Sequence, residues 1–167
     1  MKKALLLLLM LCLMPLSSAL ALEKTDIVFT FDEQVYIPGD EPTALLRALE
    51  AHFGKGKETQ TASCLFTGMD KEFDFGDIIV GTYPMGKNGA DVIESIIVFQ
   101  GEWPTVRGIA IGATLEDVEK AYGNDYTLAY DQLTYCLGDP LTDPALTFFL
   151  DLETKTVLGY FLMGNGG

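Results

Sequence analysis

Few residues of this chain are suited to covalent chemistry. Beyond position 21 its serines and cysteines are Ser63, Ser95, Cys64 and Cys136, and its only histidine is His52. A Cys64–His52 nucleophile would need the two side chains in contact, an orienting acid and an oxyanion site. His52 falls on a predicted helix and nothing in the local sequence supplies the rest, so it reads as a helix-surface or part-buried side chain. Structural zinc wants four paired ligands, and one histidine with two distant cysteines lacks that spacing. Asp70, Glu72 and Asp74 alternate along a predicted strand, which puts three carboxylates on one face. They lack the glycine and terminal bidentate glutamate of a calcium loop, so a solvated strand face accounts for them. A carboxylate-based hydrolase is the remaining catalytic alternative, and the sequence gives no separation by which to judge it. The glycines at Gly86–Gly89 read as a hairpin turn and those at Gly164–Gly167 as a flexible tail, not as a phosphate loop. The chain is therefore expected to be no enzyme and to need neither cofactor nor metal.

Binding is better served by the aromatic residues. Trp103 stands in the junction Gly101-Glu102-Trp103-Pro104 and Tyr83 precedes Pro84 at a strand end. An aromatic between two structural units can anchor a partner or plug the seam between the units.

These residues must be positioned by two similar series of elements. Ile27, Phe29 and Phe31 alternate as one face of a strand. Asp40 to Pro42 is a helix start; Leu45, Leu46, Leu49 and Phe53 follow at helical spacing, giving a helix over Thr43 to Phe53 that Gly54 stops. Strand candidates follow at Ala62 to Phe66 continuing into Lys71 to Phe75, then Asp77 to Tyr83 and Asp91 to Phe99. The frame restarts at Ile109-Ala110-Ile111-Gly112. Thr114 with Asp117 nearly forms a capping box for a helix over Leu115 to Tyr122, closed by Gly123. Strands are expected at Tyr126 to Tyr130, Gln132 to Leu137, Ala145 to Leu152 and Thr156 to Met163. The predicted fold is α+β: two tandem units, 22–105 and 106–163, each a short helix packed on an antiparallel β-meander, with 164–167 as a tail.

One pattern conflicts with a simple meander. A sheet wet on one face should alternate apolar and polar residues, yet Ile78-Ile79-Val80, Ile96-Ile97-Val98-Phe99 and Val157 to Met163 are apolar on both faces. Central strands lying between a helix and a loop, or two sheets packed together, would explain this. So would a protein-binding or homodimer surface.

Lys2 and Lys3, the apolar run Ala4 to Met14, and Ala19-Leu20-Ala21 read as an export signal spanning 1–21. Cleavage after Ala21 leaves 146 of the 167 residues and, with two lysines lost, moves the formal charge from −13 to −15. Such a field opposes nucleic acid and anionic membrane surfaces, and no later segment is long and apolar enough for membrane insertion. The expected location is secreted or extracytoplasmic, at the cell envelope. Cys64 and Cys136 are candidates for one disulfide in that setting, with buried free cysteines as the alternative.

The run Ser63-Cys64-Leu65-Phe66-Thr67-Gly68-Met69-Asp70-Lys71, followed by Phe73-Asp74-Phe75-Gly76, Thr82-Tyr83-Pro84 and Gly108-Ile109-Ala110-Ile111-Gly112 with Val118 and Tyr122-Gly123, resembles an uncharacterised family of exported proteins and lipoproteins of Gram-positive bacteria. The resemblance covers about Glu58 to Gly123. It implies a tandem helix-plus-meander protein, similar in outline to the beta-lactamase inhibitor protein and to small envelope lipoproteins of the outer-membrane assembly machinery. The family has no established activity, so no residue role is carried over, and this chain lacks the lipobox cysteine of the lipoprotein members. The expected function is that of an exported, non-enzymatic protein-interaction module whose partner is another envelope or extracellular protein. A proteinaceous inhibitor of a secreted or wall-associated enzyme is the alternative.

Overall fold

The computed structural model describes residues 21–85, 87–139 and 142–165. The expected export signal lies outside these residues except for Ala21, as do Gly86, Gly166 and Gly167. Among the described residues, no helix is long and apolar enough to cross a membrane.

The chain is mixed α and β, with two α-helices and mostly antiparallel sheet. A hairpin of β1 (Phe29–Phe31) and β2 (Gln34–Tyr36) precedes α1 (Thr43–Phe53). Then come β3 (Lys57–Ala62), β4 (Met69–Asp74), β5 (Ile78–Tyr83) and β6 (Val92–Val98). After α2 (Leu115–Tyr122) the series is β7 (Thr127–Ala129), β8 (Gln132–Cys136), β9 (Ala145–Leu150) and β10 (Val157–Met163).

Both helices begin and end where local chemistry dictates. In α2 the Thr114 hydroxyl accepts from Asp117 N–H at 3.2 Å while the Asp117 carboxylate accepts from Thr114 N–H at 3.0 Å, a reciprocal cap. At the α1 start, within the expected signal Asp40 to Pro42, the Glu41 carboxylate accepts the Thr43 N–H at 3.2 Å. Gly54 and Gly123 close the helices at φ 84° and 82°, a left-handed conformation that L side chains rarely adopt.

Strands β3 to β10 form a single eight-stranded sheet in the order β3-β4-β5-β6-β10-β9-β8-β7, all neighbours antiparallel. This corrects the expectation of one sheet per unit: β6 and β10 pair directly, Ser95 to Val98 against Met163 to Tyr160, and fuse the two meanders. A second correction concerns the first meander. Residues 63–68 form a turn, and the strand expected at Ala62 to Phe66 lies earlier, at Lys57–Ala62. All six β3 residues are exposed, so no apolar alternation marks the strand. The tail expectation also changes at its start: Gly164 is buried with its N–H on the Glu94 carbonyl at 2.9 Å, and the Asn165 carbonyl accepts the Tyr83 hydroxyl at 2.7 Å.

The core lies on one face of this sheet. Val80, Ile96, Leu162, Leu146 and Tyr135 stand in register across β5, β6, β10, β9 and β8, as do Ile78, Val98, Tyr160, Phe148 and Leu133. They are buried with Leu45 and Leu49 of α1, Val118 and Tyr122 of α2, and Ile27, Phe29 and Phe31 of the first hairpin region. At roughly 1.5–3 kcal/mol for each large apolar side chain, this face supplies the main driving force for folding.

Candidate functional site

The opposite face of the sheet carries the unexplained apolar residues. Register places Lys57, Asp74, Ile79, Ile97, Phe161, Thr147, Thr134 and Thr127 in one row across all eight strands. The adjacent row runs Thr59, Glu72, Gly81, Ser95, Met163, Ala145, Cys136. Its centre is an apolar strip of Ile79, Ile97, Phe161 and Met163, extended by Phe149 and by Phe99, whose rings stack with centroids 5.8 Å apart. The helices and first hairpin bury their apolar residues on the other side. At one corner, Phe66 of the β3–β4 turn stacks on Tyr83 at 5.3 Å.

A shallow cleft lies on each flank of the strip. One, of about 250 Å³, is lined by Asp125, Tyr126, Thr127, Thr134, Cys136 and Gly138. The other, of about 230 Å³, is lined by Thr59, Thr61, Asp70, Lys71, Glu72, Gly81, Glu94 and Ser95. The acidic cleft owes its shape to a register shift between Gly81 and Thr82, where β6 spends an extra residue, Glu94, against β5. Gly81 has no side chain to fill it; a Cβ there would collide with Ser95 Oγ and come within 3.5 Å of Glu94 Oε2. Burial, and secondarily the charge of Asp70, push the Glu94 carboxyl above its ordinary value.

No family model, no curated protein and no solved structure matches this chain.

Asp70, Glu72 and Asp74 do share a strand face, with Glu94 added by the bulge. Among the described residues, however, no three acidic, histidine or cysteine side chains converge as a metal ion would require. His52 packs edge-on against Phe31 and Trp103, with centroids 5.4 and 6.0 Å away, while Cys64 is exposed in the β3–β4 turn. No hydrogen bond joins them. Cys64 and Cys136 are both free thiols. From β4 to β8 is five strand spacings, about 24 Å along the sheet, whereas bridged cysteines keep their Cα atoms within about 7 Å.

Trp103 is partly buried and packs against the core beside the first hairpin and α1. Its ring contacts Phe31 and Phe53 at 5.5 Å each, and its carbonyl accepts the Tyr160 hydroxyl at 2.8 Å. Tyr83 is buried, holding Asn165 and lying under Phe66. Burial, with Glu94 second, pushes its phenol above the ordinary range. Neither aromatic belongs to the central strip. Sequence reasoning found the strip through its two-sided apolar strands but missed Phe149, and it missed Glu94 because a bulge leaves no mark in the pattern of residue types.

Proposed function

We propose that this protein is an exported, non-enzymatic binding module that engages another envelope or extracellular protein through the open face of its sheet. One observation carries the reading: a strip of apolar side chains crosses β5, β6, β10 and β9 on the face opposite the core. Contiguous apolar surface at the centre of a polar rim is what protein partners bury. Threonine rows and acidic residues form that rim here.

The same frame supports reading the chain as two tandem helix-plus-meander units. Each helix is closed by a glycine of nearly identical conformation and followed by four antiparallel strands, and the last strands of the two series pair with each other. For export, the supporting features are the apolar run, the Ala19-Leu20-Ala21 site and the packing of Leu22 against the core.

The test is capture of a partner from envelope and culture-fluid fractions, purification of that partner, and titration against the mature protein. Saturable binding lost in Phe161→Lys and kept in Trp103→Ala is expected. Retention in Phe161→Lys with loss in Trp103→Ala would move the site to the seam and overturn the reading. If the partner is a secreted enzyme, loss of its activity on binding would make this module an inhibitor.

A further inference from the structure

We propose that the acidic cleft beside the strip receives a lysine or arginine side chain from the partner, whose neighbouring apolar residues cover Ile97 and Phe161. This rests on the binding-face reading and adds the partner's chemistry to it.

Three observations converge on the cleft. Asp70 lines it, and its Oδ1 is closed off from solvent with no hydrogen-bond partner. A carboxylate oxygen in that position costs free energy, and a cation held in the cleft would offset that cost through the charge of the carboxylate as a whole, not by contact with the shielded oxygen. Glu94 and Glu72 line the same cleft, and neither forms an ion pair among the described residues; the one lysine on its wall, Lys71, is engaged by Asp91. The missing element is thus a donor with positive charge. Finally, Gly81 and the bulge at Glu94 keep the cleft open at its floor, while Thr59, Thr61 and Ser95 place hydroxyls around it. A hard divalent ion wants several converging oxygens at short range, and the carboxylates here do not cluster that way. An ammonium or guanidinium group, with three or five donors, can bridge separated acceptors. The acidic charge of the whole chain would draw such a partner in and set its orientation.

The experiment uses isotopically labelled mature protein titrated with two synthetic peptides of equal length, one alternating leucine and lysine and one alternating leucine and glutamine. Both are expected to shift the amide signals of Ile97 and Phe161; only the lysine peptide should shift Gly81 and Ser95. In an Asp70→Asn, Glu94→Gln variant the lysine peptide should bind about tenfold more weakly or worse, and the glutamine peptide should be unaffected. Equal affinity of the two peptides for the wild type, or undiminished lysine-peptide binding by the variant, would overturn the basic-residue proposal while leaving the binding face intact. Shifts at Gly81 and Ser95 with calcium chloride and none with the lysine peptide would also overturn it. Failure of both peptides to move Ile97 and Phe161 would count against the face itself.

Discussion

Arg107 joins three parts of the chain through one side chain. Its Nε and Nη2 donate to Asp26 at 2.8 and 2.6 Å, its Nη1 to the Ala121 carbonyl at 2.9 Å, and its guanidinium carbon lies 4.8 Å from the Tyr122 ring centre. Asp26 is only 4 % exposed, and among the described residues its carboxylate has one other partner, the Glu23 N–H at 2.7 Å. Arg107→Ala strands that buried carboxylate and should cost about 3 kcal/mol or more, read as a lower midpoint in urea; Arg107→Lys should recover only part, since lysine cannot reproduce the fork. Glu94 makes the opposite prediction. Its carboxyl is raised in the folded state, so between its ordinary and folded values the native chain holds more protons than the unfolded chain, and stability falls as pH rises through that window. Glu94→Gln removes the penalty. Its melting temperature should exceed the wild type's at neutral pH, and the gap should close as pH drops to about 4. A constant gap across that range would show that Glu94 is not burdened by its surroundings. At this scale the sequence exposed little: Asp26 and Arg107 are 81 positions apart, and no spacing rule pairs them.

The elements were far more legible, for a physical reason that differs between helices and strands. Both helices end at glycines and carry apolar residues at intervals of three and four, so their boundaries are written locally. Thr114→Ala removes the hydroxyl that caps α2 and should cost about 1 kcal/mol, measured as a shift in the denaturation midpoint with an unchanged slope. Asp117 is held below the ordinary carboxylate range by its hydrogen bonds to Thr114. Its contribution is therefore present above the unfolded value and lost as pH falls through the folded one, so the Thr114→Ala deficit should shrink in acid. The central strands were legible because they are apolar. Strand β3 was not, since its residues Lys57 to Ala62 are exposed on both faces and only the ladder with β4 defines it. The first hairpin's return strand was hidden similarly. Its turn residues Asp32 and Glu33 adopt φ of 51° and 64° without a glycine to announce them, and β2 is three residues with none buried.

For the whole molecule, the decisive fact is the pairing of β6 with β10, which local patterns cannot encode because strand order depends on contacts some 65 residues apart. The two helix-and-meander series consequently do not each own a core. Val98 and Ile96 face Tyr160 and Leu162 across the join, and the Trp103 carbonyl takes the Tyr160 hydroxyl from the other side of it. A fragment comprising residues 22–105 would bare the edge of β6 from Ser95 to Val98, apolar at three of four positions and without a charge to protect it. An uncovered apolar edge recruits another strand. The partner at hand would be a second β6, which can take the antiparallel place left by β10. The fragment is therefore expected to self-associate, with sedimentation that depends on concentration and with slow-exchanging amides at Ile96 and Val98 only in the associated form. The intact chain should show no association through this edge, because β10 occupies it. A fragment that stays monomeric while giving a well-dispersed amide spectrum would show that the first series stabilises itself. The eight-stranded sheet would then be two independent folds in contact, and the open face that crosses the join could not be the single rigid surface on which the proposed binding depends.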